Sequence, residues 1–129
     1  MKLLLDTHAF IWYVQGDKRL PVGVQNLIAS TKNEILISVV TFWELAIKIS
    51  LGKLKLNQEL PIVYNETLAY GFEVIPISPK SIFKLITLPM HHKDPFDRIL
   101  ITTAMTQSLK IISADQHFSR YESLEIIWD

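Results

Sequence analysis

The chain contains no cysteine. That excludes a disulfide framework, a thiol nucleophile and a thiolate zinc site, and it suits a reducing compartment. It has no excess of either charge, since 13 Lys and Arg balance 13 Asp and Glu. No global field therefore marks a nucleic-acid binder, and any such site has to be a local patch. Long hydrophobic runs are missing too. The apolar stretch after Met1 is too short for a signal peptide or a membrane span, and the others are interrupted, so a cytoplasmic protein is expected. There is no internal repeat, no low-complexity tract and no linker, and residues 1–129 are read as one domain. What is present is apolar: 49% hydrophobic residues and a mean hydropathy of +0.23 exclude a disordered chain. Charged residues reach only 20%, so part of the apolar surface is expected to face a partner.

Short β-type runs alternate with longer helical stretches, the pattern of a parallel α/β sheet. Strands are expected at residues 2–5, 34–40, 72–77, 110–113 and 124–128. The second (EILISVV) is almost continuously apolar, as a strand covered on both faces should be. Pro76 marks an edge or an end of the third. Helices are expected at 8–14, 22–31, 42–51, 59–70, 79–86 and 95–109, with Gly52 and Gly71 as stops and Pro79 and Pro95 as starts. Residues 52–60 and 89–93 are the expected exposed loops.

The informative feature is where the acids fall. Asp6 follows the first strand, and Asp115 follows the fourth. Glu44 sits in the first turn of the helix expected after the second strand, and Asp97 in the first turn of the helix opened by Pro95. In a parallel sheet, positions just beyond the strand ends converge on one rim, where ligands bind. Like charges about 4 Å apart cost several kcal/mol at an effective dielectric near 20, so such a cluster calls for a cation, helix N-termini or protonation. An all-oxygen set suits Mg²⁺ or Mn²⁺ better than zinc. The competing reading is that the acids only cap helices: Thr41 with Glu44 forms a capping box by its letters, Asp94 reads as the N-cap before Pro95, and Asp6 and Asp115 can each cap a short helix directly after them.

At these residues the chain resembles PIN-domain ribonucleases, in particular the VapC-type toxins of bacterial toxin–antitoxin pairs. The segments that carry the likeness are LLLDTHAFIW, ISVVTFWELAIKISLGKL, HHKDPFDRILITTA and IISADQHFSRY, spread in order over nearly the whole chain. The resemblance places the family's acids on Asp6, Glu44, Asp97 and Asp115, and its accompanying hydroxyls on Thr7 and Ser113. It implies a five-stranded parallel sheet in the order 3-2-1-4-5 with helices on both faces. It further implies Mg²⁺- or Mn²⁺-dependent RNA hydrolysis, homodimerisation and neutralisation by a cognate VapB-type antitoxin.

On this reading Asp6, Asp97 and Asp115 hold the metal directly or through water, and Glu44 is a ligand or orients the attacking water. Thr7 and Ser113 hold a carboxylate or a water in place, or serve only as turn hydroxyls. RNA approaching an acidic site needs cations nearby, and His91, His92, Lys93, Arg98 and Lys48 are the candidates for phosphate, with Arg98 alternatively paired to Glu44 or Asp94. Adjacent histidines lack the spacing of a zinc helix motif. Trp12, Tyr13, Phe42 and Trp43 either stack bases or anchor a core or an interface. Three rivals stand beside this reading. Receiver and haloacid-dehalogenase phosphotransfer domains need a second early acid or a late lysine, where the chain has Thr7-His8 and none after IIS. A non-catalytic interaction module would use its acids only as caps. A PIN nuclease for structured DNA would need an arch or an extra domain that is not apparent.

Overall fold

The computed structural model describes residues 1–128. Among them, five strands form one sheet: β1 (Lys2–Leu5), β2 (Glu34–Ser38), β3 (Glu73–Ile75), β4 (Lys110–Ile112) and β5 (Ile126–Ile127). All pairings are parallel, in the order β3-β2-β1-β4-β5. The connections carry helices α1 (Thr7–Gln15), α2 (Val22–Ala29), α3 (Val39–Ser50), α4 (Leu60–Ala69), α5 (Pro79–Lys84) and α6 (Pro95–Gln107), with a 3-10 turn at Gln116–Arg120. This is the expected α/β architecture, with the strand order that the resemblance implied.

Side chains alternate across the sheet. Leu3, Leu5, Ile35 and Ile37 face a core built with Phe10, Ile28 and Leu45 from α1, α2 and α3. Leu4, Leu36 and Ile111 face the other way, onto Leu100 and Ile101 of α6 and Phe118 of the 3-10 turn. Both faces are covered, which is why these strands read as unbroken apolar runs.

Element boundaries depart from expectation where a local bond overrides propensity. The second strand stops at Ser38 instead of residue 40, because the Ser38 hydroxyl accepts from the Val40 N–H (3.1 Å) and opens α3 there. Val39 and Val40 are thus helical despite their β-branches. The first turn of α3 therefore starts three residues earlier than expected, and Glu44 lies in its second turn. Thr41 is not the N-cap, and its buried hydroxyl has no partner. The third strand is cut to Glu73–Ile75 by Pro76. Only Ile126–Ile127 of the fifth pairs. α6 ends at Gln107, where Ser108 turns left-handed at φ 55°.

The strand register decides where the site lies. Leu5 sits opposite Ile112, and the Asp6 N–H donates to the Ile112 carbonyl (3.1 Å), carrying the β1–β4 ladder one residue beyond the strand. β2 flanks β1 on the other side. The residues following β1, β2 and β4 consequently share one rim at the middle of the sheet.

Candidate active site

Asp6 is the N-cap of α1, accepting from the Ala9 N–H at 2.9 Å, and it is almost fully buried. Burial pushes its carboxyl up to about 6, and nearby Asp115 adds to this, against the pull of the Ser113 hydroxyl and the Ala9 N–H. Glu44 is also buried, with both oxygens engaged. The Thr7 hydroxyl donates to Oε1 (2.7 Å), and Lys48 Nζ lies 2.7 Å from Oε2. The Thr7 bond ties the end of β1 to α3 across 37 residues of sequence.

Asp97 differs from the other acids. The cap of α6 is Asp94, whose side chain accepts from the Phe96 and Asp97 N–H groups (2.9 and 3.0 Å). The Asp97 carboxylate caps nothing. Burial, then the charges of Asp94, Asp6, Glu44 and Asp115, push it up to about 8. Asp6, Glu44 and Asp115 thus all lie within electrostatic reach of Asp97. Asp115 caps the 3-10 turn through the His117 N–H (2.8 Å) and meets His117 Nδ1 at 2.9 Å. Partial burial raises its carboxyl, but the two His117 bonds and the His117 charge outweigh it and hold it below the ordinary range. Ser113 Oγ accepts from the Asp115 N–H (3.0 Å), so this hydroxyl faces both Asp6 and Asp115.

Three of the expected phosphate contacts are engaged elsewhere. Arg98 is buried, and its guanidinium donates to the carbonyls of Leu88 (3.2 Å) and Pro89 (2.9 Å), bracing the loop before α6 and pairing with neither Glu44 nor Asp94. Lys48 is bound to Glu44. The His92 side chain is only 11% exposed, and its Nδ1 lies 2.9 Å from the Tyr121 hydroxyl. Burial lowers the basicity of this ring. Lys93 remains exposed, without an ion pair among the described residues. His91 packs edge-on against Tyr121.

The aromatic residues divide. Phe42 is buried against Phe10, and Trp12 packs on Trp128 with Arg19 4.9 Å above its ring. Trp43 is 57% exposed and meets Phe96 edge-on at 5.1 Å, next in sequence to Glu44 and Asp97 respectively. Tyr121 and His117 belong to the site, and sequence reasoning did not single them out. His117 stands two residues from Asp115 and could have been found by that spacing, whereas nothing in the sequence ties Tyr121 to His92.

The donor set suits a hard divalent cation. All four acids offer oxygen, and burial followed by the charge of its neighbours raises the Asp97 carboxyl. No three His, Asp or Glu side chains among the described residues stand close enough to ligate an ion together. Mg²⁺ keeps several of its waters and needs only one or two direct carboxylates, so this spacing is compatible with it.

Comparison with known proteins places the chain. The PIN-domain family model matches residues 3–124. No curated protein matches significantly. Among solved structures, VapBC2 from Rickettsia felis bound to a DNA fragment from its promoter superposes with a TM-score of 0.75 at 20% identity, covering 100% of both chains. VapBC-1 from nontypeable Haemophilus influenzae gives 0.73 at 18% identity over 98% of this chain and 97% of its own. VapBC-5 from Mycobacterium tuberculosis, a member of the VapBC family of toxin–antitoxin systems, gives 0.60 at 19% identity over 99% and 98%. At such identities the likeness speaks for the fold. With the family model matched over nearly its full length, the chain belongs to the PIN-domain family.

Proposed function

We propose that this protein is a VapC-type endoribonuclease toxin that hydrolyses RNA phosphodiester bonds with Mg²⁺ or Mn²⁺ and is neutralised by a VapB-type antitoxin. The observation that carries the reading is Asp97: it caps no helix, yet burial and four surrounding carboxylates raise it to about 8. An acid at this third position of α6 gains from the helix dipole, but the dipole does not call for burial among four other carboxylates. The caps-only reading accounts for Asp6, Asp94 and Asp115, but not for Asp97 or Glu44.

Asp6, Asp97 and Asp115 would hold the cation, one or two of them directly and the rest through its waters. A bound divalent ion supplies Lewis acidity and neutralises charge that develops at a phosphodiester. Glu44, pinned by Thr7 and Lys48, orients the attacking water in line with the scissile phosphorus. The Thr7 bond keeps its carboxylate in one rotamer, and the Ala9 N–H does the same for Asp6. Water's oxygen bonds to phosphorus, the bond to the 3′-oxygen breaks, and that oxygen takes up a proton. The products are a 5′-phosphate and a 3′-hydroxyl. Lys93 is the remaining cation for backbone contact, and exposed Trp43 is placed to stack a base.

Support for an antitoxin partner comes from the likeness to VapBC complexes. Support for a homodimer comes from the exposed apolar side chains Ile82, Phe83, Ile86 and Met90 on α5 and the loop that follows it. Among the described residues no helix is long and apolar enough to cross a membrane.

End analysis of cleaved RNA tests the chemistry. Products with 5′-phosphate and 3′-hydroxyl ends are expected, and cleavage should be lost in Asp97→Asn. Products ending in 2′,3′-cyclic phosphate would contradict the proposed water attack.

A further inference from the structure

We propose that His92 is a positioning residue for Asp97, presenting an Nε2–H to that carboxylate with its tautomer set by the Tyr121 hydroxyl. The inference rests on the metal-site reading above and assigns a role to a ring that is too buried for a phosphate contact.

Three observations carry it. The His92 Nδ1 lies 2.9 Å from Tyr121 Oη, and among the described residues that hydroxyl has no other partner. The opposite nitrogen, Nε2, is buried without a hydrogen bond and lies 3.7 Å from Asp97 Oδ2. The His117 ring stacks on His92 at 5.9 Å and 9°, and itself bonds Asp115 at 2.9 Å, so two parallel imidazoles each face one acid of the site.

Only one tautomer of the neutral ring fits these contacts. With Asp97 ionised, as a ligand to a cation must be, a proton on Nδ1 would leave the Nε2 lone pair facing a carboxylate oxygen and the Tyr121 hydroxyl proton without an acceptor. When Tyr121 donates to Nδ1 instead, the ring proton sits on Nε2, on the side of Asp97. At 3.7 Å the donor falls short of a hydrogen bond, and a buried donor left in that state is costly. A small rotation of the Asp97 side chain closes the contact. It fixes one carboxylate oxygen and leaves the other for the cation, as hydrogen bonds to metal-ligating carboxylates generally do.

Nitrogen-15 NMR of the metal-free protein above about pH 8, where Asp97 is ionised, reads the tautomer directly. The expected His92 signals are a protonated Nε2 and an unprotonated Nδ1, and the reverse assignment overturns the inference. Thermal shift against Mn²⁺ alone then separates positioning from packing. The His92→Gln amide nitrogen sits where Nε2 was and should keep the half-saturating Mn²⁺ concentration within about threefold of wild type, whereas His92→Asn, which reaches only the Nδ1 position, should raise it about tenfold. Tyr121→Phe keeps the packing, frees the tautomer and should fall between them. Equal losses in the Gln and Asn variants, or none in Asn while wild type responds, overturn the inference and leave the metal site intact. A wild type indifferent to Mn²⁺ defeats the metal reading itself, and this role with it.

Discussion

Asp97 and Asp115 share a rim but are displaced from the ordinary carboxylate range in opposite directions. Asp97 is the more deeply buried of the two, and they also differ in what each is bonded to. Asp115 has the His117 N–H and ring, whereas Asp97 has only other acids and a donor out of reach. Asp97→Asn should therefore stabilise the metal-free protein at neutral pH, by on the order of 1 kcal/mol, since folding otherwise has to keep a proton on Asp97 that the unfolded chain releases. Unfolding in chelator checks this, and the same variant should cleave RNA at least about a hundredfold more slowly, the scale seen when one electrostatic contact to a transition state is lost. Stability should also depend on pH. Asp97 rises from 3.8 to about 8 on folding, so between those values the folded state holds a proton that the unfolded state has released. Stability from this group is complete below 3.8 and drains away as pH rises through about 8, at about 1 kcal/mol per pH unit. Asp6 acts in the same sense, with its stability gone by about 6. His92, lowered by burial, acts in the opposite sense below 6.5. Melting metal-free protein between about pH 7 and 8 isolates Asp97. The midpoint should fall across that interval in wild type and stay level in Asp97→Asn.

At the scale of the element, the start of α3 shows how a single hydroxyl sets where the proposed site residue Glu44 falls along its helix. Ser38→Ala removes the bond to the Val40 N–H and should cost about 1 kcal/mol in chemical denaturation. Thr41→Val, by contrast, removes a buried hydroxyl without a partner and should be neutral or stabilising. If Thr41 were the cap, the two results would be exchanged. The sequence letters favoured Thr41 because Val39 and Val40 look like strand, and a side chain bonding two residues ahead is not visible in propensity. Strand identities and the rim positions of Asp6 and Asp115 were legible because each follows a short apolar run directly. The sheet order was not contained in hydrophobic pattern and came through the family likeness. Arg98 was misread for a different reason. Its carbonyl partners at Leu88 and Pro89 exist only once the loop has folded back on α6, and adjacent charge in sequence pointed toward solvent. Contacts across 29 and 37 residues, His92 to Tyr121 and Thr7 to Glu44, were out of reach for the same reason.

For the whole molecule, two surfaces matter: the acidic rim and the apolar ridge of α5. Phe83 is 66% exposed and Ile86 84%, with Ile82 exposed beside them. Sedimentation should find a dimer in wild type and a monomer in Phe83→Glu, with the fold retained because neither side chain belongs to the core. The central claim concerns the rim, where the acids gather around a divalent cation. Thermal unfolding of wild type and Asp97→Asn with and without Mn²⁺ tests it most directly, because an ion that binds the native state must raise its midpoint. The account predicts a Mn²⁺-dependent rise in wild type that grows with concentration and is lost or blunted in Asp97→Asn. A wild-type midpoint that does not move through the millimolar range would contradict it.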